Sequence, residues 1–243
     1  MASDRVGSGD DVRRAHDDHP PFRYPDYKST MARSPERDMV TVLRTLSERT
    51  GPGPAWSAVE DDDADLTTNA GTGGRAIGAR IVVTGRVLDA HGAPVPDTLV
   101  EIWQANAAGR YTHWRETEYD APLDPNFLGV GQCHTDADGI YEFLTIRPGP
   151  YPWGNHPNAW RPAHVHLSLL GPALGSRLVT QLYFAGDPML ELDPIYCSAP
   201  PHSRHRMLAH YDHDVSVENW ATGWRFDIVL AGEHATPGER QDD

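Results

Sequence analysis

The run Ala163-His164-Val165-His166-Leu167-Ser168-Leu169-Leu170 decides how this chain folds. Apolar and polar side chains alternate along it. As an extended strand it sends Val165, Leu167 and Leu169 to one face and His164, His166 and Ser168 to the other. Outward from it, the same two-residue period recurs at 81–88, 98–104, 132–135, 140–146, 177–184 and 224–231, which with 163–170 makes seven predicted strands. Turn residues punctuate them: Asp89-Ala90-His91-Gly92 follows the first, and 81–88 and 98–104 read as a pair. Asp136-Ala137-Asp138-Gly139 reads as the turn of a hairpin joining 132–135 to 140–146. Its Asp-x-Asp-Gly pattern superficially resembles a calcium loop, but the later ligands are absent and the flanks are strands. The expectation is an all-β chain, a β-sandwich of mostly antiparallel strands with long loops.

Composition agrees. The 243 residues include 22 Gly and 21 Pro with no repeat period, which favours turns over long helices, and 39% are hydrophobic, enough for a core. One short N-terminal helix is expected from Ser34 as N-cap, Pro35 and Glu36 in the first turn, Met39, Val42, Leu43 and Leu46 on one face, and Gly51 as the stop. The acidic run Glu60-Asp61-Asp62-Asp63 reads as a solvated loop. The organisation predicted is a mobile tail at 1–20, a helical and loop arm at 21–75, a β-sandwich domain at 76–235 and a tail at 236–243.

With 21 basic and 35 acidic residues the net charge is −14, the wrong sign for a surface that binds nucleic acid or anionic lipid. An anionic substrate must be held by local positive charge. Cys133 and Cys197 have neither C-x-x-C spacing nor the density of a disulfide framework, so they read as reduced thiols. No stretch approaches the ~20 apolar residues of a membrane span. A cytoplasmic protein is expected.

The chemistry concentrates around the opening run. His164 and His166 on one strand face form either a bidentate metal clamp or a pair of hydrogen-bonded histidines on a polar sheet face. Carboxylates near them are sparse, whereas tyrosines are not. Tyr151 lies in the proline-bounded loop Pro148-Gly149-Pro150-Tyr151-Pro152-Trp153-Gly154, and Tyr111 follows another predicted strand. Two phenolates with two imidazoles would suit Fe(III); taken singly, each tyrosine reads equally as a packed aromatic.

Three words carry a resemblance: Pro148-Gly149-Pro150-Tyr151-Pro152-Trp153, Trp160-Arg161-Pro162-Ala163-His164-Val165-His166, and Gln181-Leu182-Tyr183-Phe184-Ala185-Gly186-Asp187-Pro188. With Ala121-Pro122-Leu123-Asp124-Pro125-Asn126-Phe127 between them, the chain resembles the intradiol ring-cleaving dioxygenases from about Pro25 to Gly232, and specifically their metal-bearing β subunits. That resemblance implies a non-haem Fe(III) held by Tyr111, Tyr151, His164 and His166. It implies cleavage of protocatechuate by O2 to 3-carboxy-cis,cis-muconate, with catechol or hydroxyquinol as alternative substrates. Arg161 would stabilise charge on the substrate ring with Gln181 beside it, and Tyr151 would leave the metal and take a substrate proton. Tyr27, Trp153 and Ile195 would line the pocket. A homologous α subunit, in a higher-order α/β oligomer, is the implied partner. The reading from another class is a non-enzymatic β-sandwich binding module, suggested by Gly85-Arg86-Val87-x-Asp89 and Thr135-Asp136-x-Asp138-Gly139; it leaves the tyrosines and histidines unexplained.

Overall fold

The computed structural model describes residues 18–37, 59, 61–113, 119–171 and 177–238. In chain order the strands are β1 (Arg80–Leu88), β2 (Leu99–Trp103), β3 (Val130–His134), β4 (Ile140–Ile146), β5 (Tyr151–Pro152), β6 (Trp160–Arg161), β7 (His164–Leu170), β8 (Leu178–Phe184), β9 (Leu208–Tyr211), β10 (Thr222–Arg225) and β11 (Ile228–Val229). Among the described residues two one-turn α-helices accompany them, α1 (Ser29–Arg33) and α2 (Pro194–Ser198).

One layer holds β4, β1, β10 and β11; the other holds β8, β7, β2 and β3. Strand β9 pairs with β10 and also with β8, so hydrogen bonding runs from one layer into the other along one side. The result is a sandwich closed at one edge. Most pairings are antiparallel; β1 with β10, β1 with β11 and β8 with β9 are parallel. Between the layers Val83, Val87 and Phe143 meet Val100, Ile102, Val165, Leu167, Leu169 and Leu182 in one buried cluster. The alternation of 163–170 is therefore realised: its apolar face enters the core and its histidine face looks outward.

Several pairings differ from the sequence reading. β1 does not pair with β2; it takes β4 and β10 as neighbours, while β2 lies between β3 and β7. β3 and β4 are joined by the expected turn but are not a hairpin, because each pairs in a different layer. A turn signal specifies a reversal, not a partner. Within it Asp136 Oδ1 accepts from the Asp138 and Ile140 amides at 2.9 and 2.8 Å, so this carboxylate serves its own backbone rather than an ion. Asp89 does the same for His91 and Ala93.

The single strand expected at 224–231 is broken. Phe226 N–H donates to Thr84 O, and Asp227 Oδ1 receives the Arg86 amide at 2.9 Å where a ladder bond would otherwise stand. A Cβ on Gly85 would lie 1.8 Å from Phe226 O, which is why glycine occupies the middle of β1. At the N-terminus, Ser34 is not the N-cap of a helix but the extended C-cap of α1, donating to Thr30 O at 3.1 Å. The rest of the helix expected through Leu46 lies outside the described residues, while Asp61–Ala64 forms a 3₁₀ turn rather than open loop.

Residues assigned from sequence to the terminal tails include packed ones. Asp18 accepts from Arg206 Nη1 at 3.1 Å and lies 3.0 Å from His202 Nε2, and Ser203 Oγ donates to Asp18 O at 3.0 Å. Thr180 Oγ1 donates to Pro237 O at 2.6 Å, and the Gly238 amide donates to His19 Nδ1 at 3.2 Å. Cys133 and Cys197 are free thiols, and burial pushes the Cys133 thiol up to about 12, making it an inert core group.

Tyr141 on β4 ties its layer to the break between β10 and β11, its hydroxyl donating to Phe226 O at 2.6 Å in the core. Tyr141→Phe leaves that carbonyl unpaired and is expected to lower stability by about 1–2 kcal/mol. Thermal and urea unfolding would measure the loss; an unchanged midpoint would show that the bond contributes nothing net.

Candidate active site

The outward face of β7 meets two neighbours in register. His166 stands opposite Trp103 on β2 and Gln181 on β8, and His164 opposite Tyr183 on β8. Directly paired residues share a sheet face, so Trp103, His166 and Gln181 form one row and His164 and Tyr183 the next. Trp103 stacks on the His166 ring at 4.8 Å and 6° between planes. The two imidazoles lie 4.9 Å apart.

A short hairpin overhangs this face. β5 and β6 pair Tyr151 with Arg161, and only Pro162 and Ala163 separate Arg161 from His164. Tyr151 Oη lies 3.4 Å from His164 Nε2. Tyr111 arrives from a different loop, its Oη 3.2 Å from His166 Nε2, and its ring meets that of Tyr151 edge-on at 5.5 Å.

Two glycines interlock the tyrosine loops. Gly109 has φ +82°, and a Cβ there would lie 2.2 Å from Pro150 O; a Cβ on Gly149 would lie 2.4 Å from Ala107 O. Asn106, buried, organises the turn: its Oδ1 accepts from the Ala108 and Arg110 amides at 2.9 and 3.0 Å, and its backbone O accepts from Gly149 N–H at 2.9 Å. Tyr111 is thus delivered by a locally closed turn pressed against the backbone that carries Tyr151.

Arg161 is buried and held along one edge. Its Nε and Nη2 reach Asp193 Oδ2 at 3.3 and 2.9 Å, and Nη2 also reaches Tyr183 Oη at 2.8 Å and Gln181 Oε1. The other edge faces the tyrosine and histidine: Nη1 is 3.0 Å from His164 Nε2 and 3.5 Å from Tyr151 Oη. Burial opposes the charge on Arg161, yet Tyr183, Asp193 and Tyr151 around it raise its pKa well above the ordinary value, so it stays cationic.

Both imidazoles are driven toward the neutral form. Burial, then Arg161 and His166, drive His164 well below its usual range, and burial, then Arg161, lowers His166 to about 3. His164 Nδ1 lies 2.8 Å from Pro162 O, an acceptor only, so Nδ1 carries the proton and Nε2 presents its lone pair to the site. Two imidazole nitrogens and two phenol oxygens therefore converge. Their neighbouring separations of 3.2 and 3.4 Å match donors bound about 2 Å from a common ion, which lie about 3 Å apart. Among the described residues no group of three or more His, Cys, Asp or Glu could hold a metal; beside the two imidazoles here stand the two phenols. The donor set fits a hard, oxygen-loving transition metal.

The expected pocket residues fare unequally. Trp153 approaches Arg161, whose Cζ lies 5.7 Å from its ring centroid, and Tyr27 meets Trp153 at 5.6 Å. Asn155 holds the Tyr27 segment by accepting from Lys28 N–H at 3.0 Å and donating to Asp26 O at 2.7 Å. Trp153 Nε1 is a buried donor with no hydrogen-bond partner. Ile195 is buried beside Asp193, its amide donating to Asp193 Oδ1 at 3.0 Å where that residue caps α2.

Comparison with known proteins gives a match to a family described as Dioxygenase over residues 52–232, and one to Protocatechuate 3,4-dioxygenase beta subunit N terminal over residues 12–44. The protocatechuate 3,4-dioxygenase beta chain of Burkholderia cepacia is 54% identical over 222 residues, spanning 91% of this chain and 94% of that one. The chain belongs to the intradiol dioxygenase family. The chlorocatechol 1,2-dioxygenase of Rhodococcus opacus is 36% identical over 135 residues, 50% of this chain and 49% of its own length. A crystal structure of 3-chlorocatechol 1,2-dioxygenase from Rhodococcus opacus 1CP superposes with a TM-score of 0.53 and 26% identity, covering 70% of this chain and 65% of that one.

In this intradiol dioxygenase, sequence reasoning brought together Tyr111, Tyr151, His164, His166, Arg161 and Gln181, but missed Asp193, Tyr183, Trp103 and Asn106. Tyr183 was legible, since Gln181-x-Tyr183 repeats the strand-face spacing of His164-x-His166. Asp193 was not: before Pro194 it reads only as a helix cap, and its second oxygen reaches Arg161 across 32 residues of chain.

Proposed function

We propose that this dioxygenase cleaves protocatechuate with O2 to 3-carboxy-cis,cis-muconate, as the iron-bearing β subunit of an α/β assembly. The observation that carries the reading is the convergence of Tyr111, Tyr151, His164 and His166 with Arg161 Nη1 alongside. The substrate assignment rests on the Burkholderia cepacia relative, similar over nearly the whole of both chains.

Tyr111, Tyr151, His164 and His166 would hold Fe(III). The ferric ion supplies Lewis acidity that favours the dianionic form of an ortho-dihydroxyaromatic ligand. The protein's own groups do the rest. Tyr151 Oη, between Pro150 and Pro152, would accept a substrate hydroxyl proton. Arg161 Nη1 lies where negative charge builds on the ring and stabilises it more in the transition state than in the ground state. Gln181 steadies Arg161, Trp103 fixes the plane of His166, and Trp153, Tyr27 and Ile195 form pocket wall, with Trp153 Nε1 a donor for a ligand oxygen.

A chain of net charge −14 needs help with a carboxylate, which a homologous α subunit would give in a higher-order oligomer. The catalytic sandwich would span 76–235, with the arm at 21–75 feeding Tyr27 to the site. No helix among the described residues is long and apolar enough to cross a membrane, and two unpaired thiols agree with a cytoplasmic setting.

Purified with its α partner, the protein is expected to be coloured, to hold about one iron per chain, and to take up O2 fastest with protocatechuate among protocatechuate, catechol and hydroxyquinol. A colourless, fully active zinc protein would sink the ferric assignment, and faster turnover of catechol would sink the substrate. Full protocatechuate turnover by this chain alone as a monomer would refute the α requirement.

A further inference from the structure

We propose that Asp193 is a positioning residue for ring cleavage, aiming Arg161 Nη1 at the reacting ligand by anchoring the opposite edge of the guanidinium. The inference rests on the reading above that Arg161 stabilises ring charge.

A guanidinium is planar and rigid, so fixing Nε and Nη2 fixes where Nη1 points. Asp193 Oδ2 takes both of those nitrogens, at 3.3 and 2.9 Å. Tyr183 Oη and Gln181 Oε1 complete the same edge, and the two are 2.8 Å apart, with Tyr183 Oη also 2.9 Å from Asp193 Oδ2. Nη1 takes no part in this anchorage; its neighbours are His164 Nε2 and Tyr151 Oη. Asp193 is itself held, since Oδ1 accepts the Ile195 amide at 3.0 Å and the residue is wholly buried. Both oxygens of the carboxylate are thus engaged, one by the Ile195 amide and one by Arg161 and Tyr183. Only Pro162 and Ala163 separate Arg161 from β7, and without the charged anchor its long side chain is held by Tyr183 and Gln181 alone at the point where angular error matters most.

Asp193→Asn keeps the shape and removes the charge. In the α/β holoenzyme it is expected to lower kcat about 30- to 100-fold with KM for protocatechuate changed less than threefold, iron content and visible band unaltered. Tyr183→Phe, which removes one hydroxyl, is expected to lower kcat about three- to tenfold. The readout that a merely structural role would not give is a double-variant cycle. Adding Asp193→Asn or Tyr183→Phe to Arg161→Leu is expected to cause no further loss, because each acts through Arg161. Losses that multiply, or a folded Asp193→Asn enzyme with kcat within threefold of the parent, would overturn the proposal. Should Asp193→Asn fail to fold, an unchanged kcat in Tyr183→Phe overturns it equally. Full turnover in Arg161→Leu would instead defeat the reading of Arg161, whereas an inactive Arg161→Leu with an unaffected Asp193→Asn defeats only the positioning role.

Discussion

Arg161→Leu is expected to lower kcat by about two to three orders of magnitude, the cost of removing one preorganised donor from a developing charge, while iron content stays near that of the parent. Arg161 is not itself one of the four donors, and it meets them through Nη1, 3.0 Å from His164 Nε2 and 3.5 Å from Tyr151 Oη. The substitution also strands a fully buried carboxylate, Asp193, so a fall in stability of about 3–5 kcal/mol should accompany it. The Arg161→Leu/Asp193→Asn pair removes that orphan charge. Stability should recover in part, and turnover should not. Rapid mixing with protocatechuate, alongside thermal unfolding of the single and double variants, separates the two effects. Recovery of turnover together with stability would mean that Arg161 serves the fold and not the reaction.

Gly109→Ala should disturb the donor set from outside it. Its φ of +82° already disfavours any side chain, and the new Cβ would lie 2.2 Å from Pro150 O and 3.2 Å from Tyr151 Cβ. Neither neighbour is the free end of a flexible chain, so the turn that carries Tyr111 must move away from the strand that carries Tyr151. A stability loss of about 3 kcal/mol and a 10- to 100-fold weaker hold on iron are expected. Metal analysis after dialysis against a chelator, with the visible band followed throughout, checks it. A variant that keeps its iron and its melting temperature would show that the interlock of the two loops is slack.

Much of this was legible in residues near one another in sequence. Alternation in 163–170 is enough to put the histidines on one face and three apolar side chains on the other, because a strand has a period of two whatever it pairs with. Turns at Asp89 and Asp136 were readable for the same local reason: the carboxylate bonds amides two and four residues on. Motif words carried the identity of the donor set. Partners across the sheet were not readable in this way. Nothing in 81–88 says that it pairs with β4 and β10 rather than β2, and the strand that joins the layers, β9, lies in a histidine-rich stretch with no clear alternation. Those choices depend on total burial over the whole chain, to which each strand contributes only part.

Sequence by itself therefore determined the strand faces, the local turns and which side chains were chemically able to form a site. Tertiary structure alone decided how they meet. It set Gly109 against Pro150 so that Tyr111 faces Tyr151, and it brought Asp193 to the far edge of Arg161. The physical reason is that local periodicity is written into neighbouring residues, whereas a close approach between distant backbones arises only when the two layers share a core.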